Sequence, residues 1–387
     1  MKILTVVWNL FDEKSKELEI SRNGGSIMIY NICEYIGRKV ESYVFVGNMS
    51  IEGVDFGHIH VVDNRKNLPQ EKKDISIWQN ALKKRFEEIL KEINPDFVLI
   101  QGSGEFSYNS FFVCKNNKTP YAFVEHLYMG KERTGEEVQD WPEWEERAFG
   151  IDDIHIIAIG NAMKKEILRD YPELIGRVCA ITNGVSHCGD VMSNNLADVY
   201  NVQGKKILVC VGGISERKNQ RQIVRAFYEL PNEYKNDIVV LFCGADSVKT
   251  PRISLLLSEI RKYNLEGSLK YIGSFPPEMM SKVYSLADGL IMASLYEGLS
   301  LVALEMITYG KPVIMFSDNE TAGDVNDPKA VVFANDHSDH ALADAIVEWY
   351  ERDWDEEYIK EYSKYYNMER VADDYIEYCK QRIKESK

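Results

Sequence analysis

Short apolar runs alternate with amphipathic stretches along almost the whole chain. In the first half the runs fall at residues 3–8, 42–46, 97–100, 121–124, 154–159 and 178–181. They lack polar alternation, which predicts strands buried on both faces, as in a parallel sheet. Residues 26–36, 75–93 and 162–170 carry helical patterning and predict the helices that cover it. The rhythm breaks at 186–204, a polar stretch with Gly189, Asn194 and Asn195, which reads as an interdomain linker. A second series then begins, with strands expected at 207–211, 238–242, 269–272, 289–292, 312–315 and 330–333. Helices are expected at 220–230, 253–263, 279–286 and 301–309, and the tail from 368 to 387 reads as one amphipathic helix. No low-complexity segment and no repeat of 20–50 residues interrupts this order. The pattern predicts an α/β protein with two doubly wound domains and a cleft between them.

A length of 387 residues suits two domains, each with its own core. No stretch approaches the roughly 20 apolar residues of a membrane helix. The run Met1-Lys-Ile-Leu-Thr-Val-Val-Trp8 is too short for a signal peptide and reads as the first strand. The seven cysteines are scattered and show no metal spacing, which fits reduced thiols and a cytoplasmic location. A formal charge of −15 argues against nucleic acid as a partner and gives no general attraction to anionic membranes. Peripheral membrane association is the most the sequence allows. Lys83-Lys84-Arg85 shares its helix with Glu87, Glu88 and Glu92 and reads as a solvated mixed-charge face.

Chemistry enters at the ends of the expected strands. Glu297 and Glu305 stand eight positions apart in Ser294-Leu-Tyr-Glu-Gly-Leu-Ser-Leu-Val-Ala-Leu-Glu305. A strand running into Glu297-Gly298 and a helix opening near Ser300 would put Glu297 at a sheet's ligand edge. The helix-start N–H groups would face an anion, and Glu305 could reach a second part of the ligand. A surface turn before an ordinary helix fits the same residues. Arg22-Asn-Gly-Gly-Ser26 opens a helix after the first strand, where Gly24 and Gly25 would allow close backbone approach, or simply start the helix. Val211-Gly-Gly-Ile-Ser-Glu-Arg-Lys-Asn219 delivers Arg217 and Lys218 to a strand edge, where cations would neutralise a diphosphate or meet solvent. His126, just past a strand, is an acid–base or ligand candidate that could equally be structural. Asp353-Trp-Asp355 has the spacing of a metal-holding pair, but sits in a charged helix-like stretch far from any strand end. Trp141-Pro-Glu-Trp144 reads as helix packing more readily than sugar stacking.

In this order the motifs resemble the GT-B glycosyltransferases of the large retaining family 4, the glycosyl transferases group 1. The resemblance runs from the Gly24-Gly25 turn through Asn94-Pro-Asp-Phe-Val-Leu-Ile100, His126, Ala158-Ile-Gly-Asn-Ala-Met163 and Asn183-Gly-Val185. It continues through Gly212, Lys218-Asn219, the glutamate pair with Gly298, and Gly310-Lys-Pro-Val-Ile314. The glutamate pair and the Gly-Lys-Pro-Val that follows are its most specific part.

The resemblance implies two Rossmann-like domains facing each other across a cleft. Residues 1–185, completed by the helix 368–387, would bind the acceptor, 186–204 would link, and 205–367 would bind a nucleotide-diphosphate sugar. Glu305 would accept from the ribose hydroxyls and Glu297 would contact the donor sugar. Lys218 and the N–H groups of Gly298, Leu299, Ser300 and Leu301 would hold the diphosphate, with Gly24 and Gly25 approaching it and His126 contacting the sugar. The implied reaction is a retaining, metal-independent hexosyl transfer to a glycan, lipid-linked or small-molecule hydroxyl. It needs no cofactor beyond the nucleotide-sugar, with a UDP-sugar favoured and GDP-mannose next. Two departures stand out. Gly213 occupies a position where the family commonly has arginine, a loss Arg217 could make good, and Ser186-His187 follows Asn183-Gly-Val185 where an aspartate is common. A sugar-nucleotide epimerase and a non-catalytic glycan- or partner-binding domain are the alternatives. Acceptor contacts are expected at Tyr108, Tyr128 and residues 130–139.

Overall fold

The computed structural model describes residues 1–12, 19–21, 23–66, 68–69, 73–130, 141–186, 195–246 and 252–386. The chain divides into two compact units, Met1–Gly184 with Met368–Lys387, and Val185–Asn367. Of the expected linker, the described residues 195–204 belong to the second unit, where Leu196–Val199 is a short helix.

The first unit is built on eight strands: β1 (Lys2–Val7), β2 (Glu41–Val46), β3 (Val54–Phe56), β4 (Ile59–Val61), β5 (Phe97–Gln101), β6 (Tyr121–Glu125), β7 (Ile156–Ala158) and β8 (Val178–Ala180). Their order is β3-β4-β2-β1-β5-β6-β7-β8, and among these described strands only the β3–β4 edge hairpin is antiparallel. The central strands are mostly apolar because helices cover both faces. All of Ile3, Leu4, Val98, Leu99, Ile100 and Phe123 are fully buried. The tail helix Met368–Glu385 closes this unit by burying Val371, Ala372, Tyr375 and Cys379. Arg370 donates to the Thr182 carbonyl at 2.6 Å and Lys39 pairs with Asp373 at 2.7 Å. The sequence pattern misses the three-residue strands β3 and β4, and also the helix Glu105–Asn116. That helix is rich in Ser, Asn and Phe, weak helix formers, and is held by burial of Phe106, Phe111, Val113 and Cys114.

The second unit is a six-stranded parallel sheet of β9 (Lys206–Val211), β10 (Ile238–Cys243), β11 (Leu269–Gly273), β12 (Gly289–Ile291), β13 (Val313–Phe316) and β14 (Val331–Ala334). The order β11-β10-β9-β12-β13-β14 is that of a Rossmann fold. Its core joins Leu208, Val240 and Phe242 from the sheet to Phe227, Ile260 and Trp349 from the helices. Among the described residues no helix is long and apolar enough to cross a membrane.

Candidate functional site

In the second unit, β9 and β12 are neighbours, with Gly289 opposite Leu208 and Leu290 opposite Val209. Strand order reverses at this pair, so the loops that leave β9 and β12 diverge and open a crevice at the carboxyl edge. One loop carries Arg217 and Lys218, and the other carries Glu297.

The β9 loop is tightly specified. Gly212 has φ +138°, and a Cβ on Gly244 of the next strand's loop would lie 1.9 Å from the Gly212 carbonyl oxygen. Only glycine permits that approach. The Ile214 N–H donates to Ala245 at 2.8 Å, and the Gln220 side-chain amide donates to the Gly213 carbonyl at 3.0 Å. Asn219, at φ +51°, opens the helix Gln220–Glu229 and leaves Lys218 projecting at its start.

Lys218 and Arg217 converge on Glu297. Lys218 Nζ bonds Glu297 Oε1, and Arg217 Nη1 donates to Glu297 Oε2 at 2.9 Å and to the Tyr296 carbonyl at 3.2 Å. Burial pushes the Glu297 carboxyl up, but the two cations outweigh it and hold the group at about 2. Glu297 is therefore ionised at neutral pH, and the triad carries a net positive charge suited to an anion. The Leu295 N–H donates to the Arg217 carbonyl at 2.8 Å and ties the two loops together by their backbones.

The expected row of free helix-start N–H groups needs one correction. The helix Leu301–Thr308 begins after Ser300, but the Ser300 N–H is already taken by Thr321 Oγ1 at 3.0 Å. It cannot serve an anion without breaking that bond. Within the helix, Glu305 Oε2 accepts from the Tyr284 hydroxyl at 2.5 Å. Burial raises the Glu305 carboxyl, and the Tyr284 bond opposes that shift.

In the first unit, Gly24 and Gly25 begin the helix Gly24–Gly37, capped by Asn23, whose side-chain oxygen accepts from the Ser26 N–H at 2.8 Å. A Cβ on Gly25 would meet only that oxygen, at 3.4 Å, so packing within the unit does not require glycine there. His126 follows β6. Its Nε2 faces Gln101 Oε1 at 2.7 Å, and burial lowers the ring to about 4. The ring is therefore neutral at neutral pH, with Nε2 engaged by the Gln101 side-chain amide.

Glu125, fully buried, accepts from the N–H groups of His126 at 3.0 Å and Leu127 at 3.3 Å and from the Ser103 hydroxyl at 2.9 Å. Burial, and then the charge of Glu145, raise its carboxyl well above the ordinary range. Glu145 accepts from the N–H groups of Met129 at 2.8 Å and Gly130 at 3.2 Å. Two buried carboxyl groups thus fix the backbone that follows His126.

Other expectations change. Tyr128 is core, 2% exposed, with its hydroxyl donating to Asp170 at 2.8 Å, so it does not line an acceptor pocket. Tyr108 lies against Trp144, ring centroids 5.8 Å apart, in helix packing. Residues 131–139 and His187 lie outside the described residues, as does Arg22. Asp355 caps the helix Glu356–Ser363 by accepting from the Tyr358 N–H at 3.0 Å, an ordinary structural duty.

Residues 193–366 match the family of glycosyl transferases group 1. The matched segment lies within the second unit. The chain is 24% identical over 201 residues to O-antigen chain mannosyltransferase B of Escherichia coli, covering 49% of this chain and 51% of that protein. It spans about half the length of that curated relative. A glycosyltransferase of Rickettsia africae superposes with TM-score 0.75 at 17% identity, covering 99% of this chain and 98% of the other. Anabaena HepE, solved in complex with UDP, gives TM-score 0.75 at 14% identity, covering 98% and 100%. The fold is GT-B.

Within the second unit, sequence patterning missed Tyr284, Glu320 and Thr321. Tyr284 sits in an expected helix, and nothing in its spacing signals a partner. Asn319-Glu320-Thr321 follows β13 at the same carboxyl edge, and that position was the available signal.

Proposed function

We propose that this protein is a retaining, metal-independent glycosyltransferase whose second unit binds a nucleotide-diphosphate sugar. The observation that carries the reading is the convergence of Lys218 and Arg217 on Glu297 at the β9–β12 switch point. An arriving diphosphate competes for both cations. Lys218 then turns to the phosphates, and Glu297 is released to accept hydroxyls of the donor sugar. Charge developing on the leaving diphosphate is met by preorganised cations in a partly buried setting, the part a divalent metal plays in other transferases. Arg217 supplies the second cation that Gly213 lacks. Glu305 accepts from the ribose, with Tyr284 orienting its carboxylate.

The same reading puts the acceptor hydroxyl, on a glycan, lipid-linked or small molecule, with the first unit. The neutral His126 ring there offers Nδ1 to a sugar hydroxyl. The UDP bound by HepE and the O-antigen role in the name of the E. coli relative support a UDP-sugar donor and a surface-polysaccharide acceptor.

Incubation with UDP-, GDP- and ADP-sugars and a panel of glycan and lipid-linked acceptors, with nucleotide release as readout, tests the reading. Release is expected to depend on acceptor and to survive chelation. Absence of donor binding at millimolar concentration overturns it, and conversion of a lone UDP-sugar without acceptor would make the protein an epimerase.

A further inference from the structure

The loop from Ser294 to Ser300 carries Glu297 and has little regular structure of its own, yet it is buried. Ser294, Glu297 and Ser300 are 3%, 7% and 5% exposed. Its backbone polar groups need partners from elsewhere, because an unmet buried amide costs about as much as a lost hydrogen bond. One short segment after β13 provides three of them. Glu320 Oε2 accepts from the Glu297 N–H at 2.6 Å, and Thr321 Oγ1 accepts from the Ser300 N–H at 3.0 Å. Asn319 Nδ2 donates to the Ser294 carbonyl at 3.3 Å. Asn319 also fixes the segment itself, since its Oδ1 accepts from the Thr321 N–H at 3.0 Å. All three clamping residues are buried, with Thr321 fully so.

We propose that Glu320 and Thr321 are positioning residues that aim Glu297, an inference that rests on the transferase reading for its catalytic consequence. Glu297 is held twice. Lys218 and Arg217 grip its carboxylate, while Glu320 grips its own backbone N–H. When a diphosphate draws the cations away, the backbone grip remains. Glu320 and Thr321 then keep the loop, and with it the carboxylate, where a donor sugar hydroxyl can be met. Neither residue needs to touch the substrate. The transfer of a sugar is sensitive to this because misplacement of a contacting group by about 1 Å can cost on the order of a hundredfold in rate.

The test uses the full chain with the substitutions E320A, E320Q and T321V. Amide hydrogen exchange of peptides spanning 294–300 reports the clamp directly and needs no substrate. E320A and T321V should speed that exchange about tenfold or more, the loss expected for one buried bond, and E320Q should stay near wild type because its amide oxygen accepts the same N–H. In turnover, E320A should lower kcat about tenfold with donor KM little changed, and E320Q should restore it. Unchanged exchange in both E320A and T321V overturns the clamp. Faster exchange with an unchanged kcat overturns the positioning role. If E320A does not fold, T321V decides by the same two readouts. A wild-type protein that turns over no donor defeats the transferase reading alone, and the exchange measurement still judges the clamp.

Discussion

Arg217 reaches Glu297 across the switch point, its Nη1 2.9 Å from Oε2, although the two residues are eighty positions apart in sequence. With Lys218 on the other oxygen, the carboxylate is shared rather than simply paired. Removing Lys218 should therefore cost more than removing Arg217, whose guanidinium is also engaged by the Tyr296 carbonyl. K218A and E297A are expected to lower kcat/KM for the donor about 10²-fold or more, and R217A about tenfold, in steady-state nucleotide-release assays. An unchanged rate in either of the first two would remove those residues from the site.

Acid should act through the same triad. The folded-state value of Glu297, about 2, lies below its ordinary 4.5. A depressed acid contributes stability that is present above pH 4.5 and is lost as pH falls towards about 2. That contribution is on the order of 3 kcal/mol for a buried group shifted this far. Denaturant titrations across this window should show a smaller acid loss for E297Q than for wild type. Parallel curves would mean that the triad does not couple to folding.

Glu125 should behave in the opposite sense. Its folded value is raised, so the stability it contributes is full below its ordinary 4.5 and is lost as pH rises towards the folded value. E125Q mimics the protonated group and keeps acceptors for His126 and Leu127. Compared with wild type, it should match near pH 4.5 and become more stable as pH rises, measured by thermal unfolding. An E125Q protein that gains nothing at alkaline pH would show that the site accommodates the carboxylate.

Tyr284 orients Glu305 through its 2.5 Å bond. Y284F removes that donor and lets burial raise Glu305 further, so the carboxylate protonates more readily and loses acceptor capacity. Affinity for a nucleoside diphosphate should fall about tenfold, the worth of a hydrogen bond to a charged group, with the deficit growing towards acid pH. Calorimetry with UDP and 2′-deoxy-UDP separates a ribose contact from a general loss. If Y284F weakens both equally, the ribose assignment fails.

The two adjacent glycines of the β9 loop should respond differently. A Cβ on Gly213 would meet only the Ala245 carbonyl oxygen at 3.7 Å, an ordinary contact. G213A should leave stability unchanged or raise it by about 0.5 kcal/mol through the unfolded state. At Gly212 the backbone itself is in a glycine-only region, at φ +138°. G212A should cost about 1–3 kcal/mol in chemical denaturation and slow donor turnover.

The alternating pattern of apolar runs was enough to place nearly every central strand, because a strand buried on both faces cannot hide its composition. β3 and β4 were not legible, since three residues are too few to establish an alternation. The helix Glu105–Asn116 was missed for a related reason: its local preference is weak, and only packing makes it a helix. Among the candidate residues, the placement of Glu297 and Lys218 after strands was legible in the sequence. The direction of Arg217 was not, because a side chain in a turn can face either way until its partners exist.

Burial periodicity and turn chemistry are local, and they alone point to two doubly wound units with a glutamate and two cations at strand ends. Tertiary structure decided that β9 and β12 lie side by side, and so that Lys218, Arg217 and Glu297 meet. It also assigned Ser300's N–H to Thr321 and Glu297's to Glu320, and it sent Tyr128 into the core. Each of these outcomes is a competition among partners distant in the chain, settled by which groups folding brings within hydrogen-bonding reach.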